Sequence, residues 1–320
     1  MRGINQGWLD WSKRVANLVR LPNLMIIILT QVLLRYCVLQ NLQYRICPEG
    51  LSPFSDFILL VLATLLIATG GYVINDYYDV RIDEINKPEK RIFEGFITYR
   101  GAIKLHLLLN GIAVLIGFFL AYRVRVAGFA LIFPFIGGIL WLYSAKYKRV
   151  IFWGNFIVAV ISAAVIMVVW LFDYYFLRIS PPLFTLTLPG MSWVSRIFLS
   201  YAFFAFMVSI IREIIKDMED LEGDQSFGCR TFPIVFGLRI TRFGVILMVG
   251  ITILILGYFQ WILIHLGQSL LFWYLMGFVQ LPCIFLGARL FFAKEKSDFH
   301  LLSNVSKVIM LTGILSMFFL

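Results

Sequence analysis

Long apolar stretches separated by short polar segments follow one another along the whole chain. Each stretch approaches or exceeds the length of about 20 residues that an α-helix needs to cross the hydrocarbon core of a bilayer. The pattern predicts an all-α protein, a polytopic membrane bundle of about nine transmembrane helices. The predicted spans fall at residues 17–39, 54–78, 102–122, 126–143, 152–171, 194–216, 242–264, 268–290 and 302–320.

Two segments outside these spans also carry a structural signal. Residues 1–16 lack the apolar core of a signal peptide and are typical of an amphipathic lead-in, with Trp8 and Trp11 at the membrane interface. Residues 173–192 contain several prolines, which end or kink helices, so we predict a loop there rather than a span. We expect residues 1–320 to form a single intramembrane domain.

The composition agrees with a chain that is solvated by lipid. Hydrophobic residues make up 61% of the sequence and charged residues 14%, with a mean hydropathy of +0.88, whereas soluble domains carry about 25% charged residues. This excludes an ordinary soluble enzyme. The four cysteines have no short spacing, so neither a cysteine metal motif nor a disulfide framework is expected.

The net charge of +10 comes from short loops, where membrane topology explains it. Most Lys and Arg residues fall in segments that lie inside the cell if the N-terminus is cytoplasmic. We therefore expect an integral protein of a bacterial or archaeal cell membrane whose N-terminus and active-site mouth are cytoplasmic. Membrane lipid is an expected partner, nucleic acid is not, and nothing indicates an obligate protein partner.

Acidic residues gather in two clusters with the same internal spacing. The first reads N-D-Y-Y-D-V-R-I-D from Asn75, and the second reads R-E-I-I-K-D-M-E-D-L-E-G-D from Arg212. Both end even-numbered spans, so both face the same side of the membrane. Positions i, i+3 and i+7 share one helix face. In the two clusters these positions are held by Asp76, Asp79 and Asp83 and by Asp217, Asp220 and Asp224.

Three carboxylates on one face repel one another unless a cation neutralises them. Carboxylate oxygens suit Mg²⁺, which commonly bridges protein carboxylates and substrate phosphates. We therefore predict that the six aspartates hold a diphosphate through Mg²⁺, with Arg212 and Lys216 compensating further charge. A single acidic stripe is more often a solvated helix end, but two stripes with identical spacing favour function. Glu219 and Glu222 point away from the second stripe, and we expect them to be solvated.

Several further polar residues have two open interpretations. Asn75 and Glu213 lie on or beside the acidic faces. Asn23 and Asn155 stand at span edges, where they either bind substrate or join helices by hydrogen bonds. Lys148 either binds phosphate or only enforces topology. His106 flanks a loop, and we expect it to be interfacial.

The two clusters resemble those of the UbiA-type intramembrane prenyltransferases, and the resemblance covers nearly the whole chain. The first motif is similar to the family's N-D-x-x-D-x-x-x-D and continues into Asn86 and Pro88. The second motif, followed by T-F-P-I-V-F-G from Thr231, looks most like the digeranylgeranylglyceryl-phosphate synthase branch. The segment from Glu89 to Gly95 departs from the family, which often has R-P-x-P-S-G there.

The resemblance implies an enzyme that moves a prenyl group, geranylgeranyl in this branch, from its diphosphate to a lipophilic acceptor. The acceptor implied is the hydroxyl of a prenylglyceryl phosphate, and an aromatic quinone precursor is the alternative. A divalent-cation transporter is a more distant alternative, because the span centres are almost free of ionisable residues. The implied catalytic residues are Asp76, Asp79, Asp217 and Lys216. The implied substrate-binding residues are Asn75, Asp83, Arg212, Glu213, Asp220, Asp224, Lys148, Asn23 and Asn155.

Overall fold

The computed structural model describes residues 14–40, 51–86 and 98–320. Within these residues nine helices are long and apolar enough to cross a membrane, and no strand occurs. The predicted all-α bundle with about nine spans is therefore confirmed. The helices are α1 (Leu21–Gln40), α2 (Phe54–Asn86), α3 (Tyr99–Arg123), α4 (Ala127–Ala145), α5 (Trp153–Leu177), α6 (Pro181–Glu219), α7 (Phe232–His265), α8 (Ser269–Phe292) and α9 (Lys296–Phe319).

The predicted loop at residues 173–192 is wrong, because α5 runs on to Leu177 and α6 already begins at Pro181. The first turn of a helix tolerates proline, since its N–H groups have no partner within the helix anyway. Pro189 lies inside α6, as prolines do in membrane helices whose neighbours satisfy the freed backbone groups. Trp8, Trp11 and the segment from Glu89 to Gly95 lie outside the described residues.

The chain divides into two compact units, and its description as a single domain stays a prediction. Of the described residues, the first unit comprises 14–29, 52–86, 98–147 and 172–180, and the second comprises 30–40, 51, 148–171 and 181–320. The first aspartate cluster belongs to the first unit and the second cluster to the second unit.

Close approaches between α2, α3 and α4 hold the first unit together. The ring of Phe133 on α4 lies against Gly117 on α3, where no side chain would fit. Small residues at such contacts let membrane helices approach closely, which strengthens their packing. The buried His106 joins α3 to α2, because its Nδ1 donates to the Gly70 carbonyl of α2 at 2.8 Å. These contacts fix α2, the helix that carries the first cluster.

The second unit has an apolar core between α6, α7, α8 and α9. On α6, Ile211, Ile214, Ile215 and Met218 are all buried in this core. They form one stripe, since residues three and four apart share a helix face. This burial sets the rotation of α6 and thereby decides where the neighbouring Asp217 points.

The Gly117 contact gives a test of the packing. Gly117→Ala should lower the stability of the protein by about 1–3 kcal/mol, because the added methyl group would collide with the buried ring of Phe133. Thermal unfolding in detergent micelles measures the effect. Gly111→Ala is the matched control on the same helix, since a methyl group there meets nothing within 4 Å. Equal melting temperatures for the two variants would contradict the described packing.

Candidate functional site

The first aspartate cluster lies at the end of α2, where two of its carboxylates are buried. Asp76 and Asp79 are only 3% and 4% exposed, whereas Asp83 is partly exposed. Asn75 Nδ2 donates to Asp79 Oδ2 at 2.7 Å. Ionised carboxylates lose solvation when buried, so they need donors or cations as partners. The predicted residues Asn75, Asp76 and Asp79 thus form a compact polar group on α2.

Arg20 supplies the cation of this group, although it is not among the predicted site residues. Its Nη2 lies 2.7 Å from Asp76 Oδ1, and its guanidinium carbon lies 5.0 Å from the ring centroid of Tyr72. Burial by itself lowers the pKa of Arg20, but attraction to Asp76 and the hydrogen bond to it outweigh this effect and hold the pKa above its ordinary value. Arg20 directly precedes α1, and Asn23, another predicted site residue, lies in the first turn of that helix. A cation at the edge of a span, on the same side as the carboxylates, is the signal that could have revealed it.

The second aspartate cluster extends over the end of α6 and the short helix Leu221–Ser226 that follows. Asp217 Oδ2 accepts a hydrogen bond of 2.8 Å from Asn155 Nδ2, in the first turn of α5. Asn155 therefore joins two helices through a hydrogen bond to a predicted metal ligand, and its role in substrate binding stays a prediction. Asp224 is buried, and Asp220 is partly buried.

The helix is interrupted between these aspartates, so they do not lie on one continuous helix as the spacing predicted. Asp220 has φ −91° and ψ 11°, which ends α6. Its N–H still donates to the Lys216 carbonyl at 2.9 Å, and the Asp224 N–H donates to the Asp220 carbonyl at 3.1 Å. These bonds preserve the i to i+4 connection across the break. The cluster is therefore retained although the helix is not.

The predicted substrate-binding cations of the second unit lie on α6 and on the loop before α5. Arg212 forms an ion pair with Glu213, so two predicted substrate-binding residues partly neutralise each other. Lys148 belongs to the 3-10 turn Tyr147–Arg149. The carbonyl of Arg149 accepts from the Arg230 N–H at 2.9 Å, which ties this basic loop to the segment that follows the second cluster.

The expectation of two solvated glutamates holds for only one of them. Glu222 is exposed, as predicted. The side chain of Glu219 is only 10% exposed and pairs with His300 Nδ1 at 2.8 Å, so the prediction for this residue is wrong. The partner comes from α9, which packs on α6, and the chain sequence gives no sign of that contact.

The donor chemistry of both clusters suits a hard cation, since every candidate ligand is a carboxylate. Among residues 14–40, 51–86 and 98–320, no three His, Cys, Asp or Glu side chains converge closely enough to hold an ion by themselves. Mg²⁺ rarely occupies a site made of protein ligands alone and commonly keeps waters or substrate phosphates in its shell. The residues present therefore fit an ion that is bound together with a phosphate.

A profile of the UbiA prenyltransferase family matches residues 44–306, which is most of the chain. The protein belongs to this family, and the nine apolar helices within the described part of the chain make it an integral membrane protein. The described fold and the two aspartate clusters are thus those of a family member.

Among curated proteins, the chain is similar to several named digeranylgeranylglyceryl phosphate synthase. The one from Pyrococcus horikoshii is 33% identical over 60% of this chain and 60% of its own length. The one from Methanospirillum hungatei is 32% identical over 68% of this chain and 71% of its own length. The matches to the Pyrococcus horikoshii and Thermococcus sibiricus proteins cover 60% and 63% of those proteins, less than two thirds of either.

Solved structures support the same fold. A structure described as digeranylgeranylglyceryl phosphate synthase has a TM-score of 0.60 at 21% identity, covering 97% of this chain and all of that one. A UbiA homolog from Archaeoglobus fulgidus bound to DMAPP and Mg²⁺ has a TM-score of 0.52 at 15% identity, covering 92% and 97%. At these identities the likeness establishes the fold.

The hydrogen bond between Asn155 and Asp217 gives a test of the second cluster. Asn155→Ala should weaken the binding of Mg²⁺-pyrophosphate to the purified protein about tenfold, because a hydrogen bond to a charged group contributes about 1.5–3 kcal/mol. Isothermal titration calorimetry measures the affinity. Ser162→Ala is the control on the same helix, since its hydroxyl bonds only the Val158 carbonyl. Equal affinities in both variants would mean that Asn155 does not position Asp217 for binding.

Proposed function

We propose that this chain transfers a geranylgeranyl group from its diphosphate to the hydroxyl of a prenylglyceryl phosphate and so forms an ether lipid. The observation that carries the proposal is the pair of buried carboxylates on α2, Asp76 and Asp79, in a chain whose surface is otherwise suited to lipid. Packing alone does not account for ionisable groups buried at the end of a membrane helix, and such groups are functional by default. The names of the similar curated proteins support the same acceptor and donor.

The six aspartates would hold Mg²⁺ together with the diphosphate of the prenyl donor, because carboxylate oxygens are ligands that suit Mg²⁺. Mg²⁺, when bound, neutralises charge that develops on the departing diphosphate. Arg212 and Lys216 would add positive charge beside the same leaving group. Apolar side chains of the bundle would exclude water from the allylic carbon.

In the proposed reaction the acceptor oxygen forms a bond to C1 of the prenyl group. The bond between C1 and the diphosphate oxygen breaks, and its electron pair leaves with the diphosphate. The hydroxyl proton passes to a base. We place the N-terminus and the mouth of the site on the cytoplasmic side, because the loops there carry most of the Lys and Arg residues.

Replacement of three aspartates of the two clusters tests the site itself. Asp76→Ala, Asp79→Ala and Asp217→Ala should each abolish prenyl transfer while the protein still inserts and folds. The measurement is product formation by purified protein from labelled geranylgeranyl diphosphate and prenylglyceryl phosphate, with Mg²⁺ and with EDTA. Glu222→Gln, which removes an exposed acid next to the second cluster, should keep full activity. Substantial activity in any of the three alanine variants, or in EDTA, would remove the proposed mechanism.

Comparing acceptors with and without a phosphate group tests the identity of the acceptor. We expect prenylglyceryl phosphate to be prenylated at least about tenfold faster than the same compound without phosphate, because Lys216 and Arg212 beside the diphosphate site would also attract a second anionic group on the acceptor. Lys216→Met should reduce the ratio of the two rates. Arg239→Met, which removes an exposed cation of the same unit, should leave that ratio unchanged. If 4-hydroxybenzoate or dihydroxynaphthoate is prenylated in place of the glyceryl phosphate, the proposed acceptor is wrong and the aromatic alternative holds.

A further inference from the structure

Arg20 is held in an unusual backbone conformation beside the first cluster. Its φ of +51° lies in the left-handed region, which is unfavourable for a residue other than glycine. Its carbonyl accepts from the Asn23 N–H at 2.8 Å and thereby starts α1. The conformation sits between the helical residues 14–18 and α1, and its side chain reaches Asp76 on α2.

The contact with Asp76 is that of a charge pair with little access to water. The Asp76 side chain is 2% exposed and that of Arg20 is 25% exposed. The ring of Tyr72, one turn before Asp76 on α2, faces the guanidinium group and stabilises it as aromatic rings stabilise cations. Arg20 is therefore a positioned counter-ion and not a flexible surface residue.

Asp76 is also the first carboxylate that the proposed function assigns to Mg²⁺. A divalent cation beside Asp76 would place two positive charges near the one that Arg20 already carries, and like charges repel strongly where water is scarce. Mg²⁺ without substrate would therefore bind against this repulsion. A diphosphate reverses the situation, since its negative charges attract both cations and its oxygens accept guanidinium hydrogen bonds.

We propose that Arg20 couples Mg²⁺ binding to diphosphate binding: it neutralises Asp76 while no substrate is present, and it lets the metal bind tightly only with the diphosphate. This inference rests on the proposed function, because it requires that Asp76 binds a metal. Coupling of this kind is reciprocal, so the metal must strengthen diphosphate binding by the same factor. The benefit to the enzyme is that the metal enters together with its substrate.

The test measures binding and needs no turnover. Mn²⁺ serves as the probe for Mg²⁺, and free Mn²⁺ is followed by electron paramagnetic resonance in titrations of the purified full-length chain. Radiolabelled pyrophosphate, added as its preformed Mn²⁺ complex, reports binding of the metal with the anion. The variants are Arg20→Met and Arg20→Lys. The control is Arg81→Met, which removes an exposed cation from α2, the same helix that carries Asp76.

Arg20→Met should bind Mn²⁺ alone at least about tenfold more tightly than the wild type, because the repulsion is gone. It should bind the pyrophosphate complex at least about tenfold more weakly, since an anion-binding guanidinium is lost. Arg20→Lys keeps the positive charge, so its affinity for Mn²⁺ alone should stay close to that of the wild type. Arg81→Met should have the wild-type affinity in both titrations.

Two results would overturn the inference, and they are distinguishable. If Arg20→Met binds Mn²⁺ alone no more tightly than wild type, Arg20 is not a counter-ion to the metal, although the proposed function stands. If neither wild type nor variant binds Mn²⁺ even with pyrophosphate, the proposed function fails as well. If Arg20→Met does not fold, Tyr72→Leu is the second variant, because it removes the aromatic ring that stabilises Arg20. Like Arg20→Met, it should bind Mn²⁺ alone more tightly and the Mn²⁺-pyrophosphate complex more weakly than the wild type.

Discussion

A carboxylate that is buried or partly buried at the end of a membrane helix must be balanced by a hydrogen-bond donor or a cation, and this requirement organises both units of the protein. Asp79 is balanced by Asn75, Asp76 by Arg20 and Asp217 by Asn155. Without such partners the desolvation of an ionised carboxylate would cost several kcal/mol. The polar residues near the clusters are therefore arranged around the charges of the aspartates.

The apolar packing of each unit places these partners within reach. In the first unit, the glycine contacts between helices and the bond from His106 to Gly70 fix α2 close to its neighbours. In the second unit, the buried isoleucine stripe sets the rotation of α6, which leaves Asp217 opposite the start of α5. Apolar packing between the helices thus sets the distance between each carboxylate and its hydrogen-bond donor.

The partners differ in what they can do when substrate arrives. Asn75 and Asn155 are neutral donors, which orient a carboxylate without reducing its charge. Arg20 carries a full charge, so it both orients Asp76 and changes the electrostatic potential that an incoming metal experiences. In the proposed function, this makes the first cluster responsive to the charge of the bound substrate, whereas Asp217 is held by a partner of fixed, neutral character.

The sequence by itself determined the membrane class, the number of spans and the two clusters, because hydrophobic length and aspartate spacing are local properties of the chain. It failed where a local signal was overridden by tertiary structure. The prolines of residues 173–192 suggested a loop, yet they are accommodated in and at the start of a membrane helix. Glu219 appeared exposed, yet it has a partner on a helix distant in sequence. Only the tertiary structure paired Arg20 with Asp76 and Asn155 with Asp217, since side chains 56 and 62 positions apart meet through helix packing that no local pattern encodes.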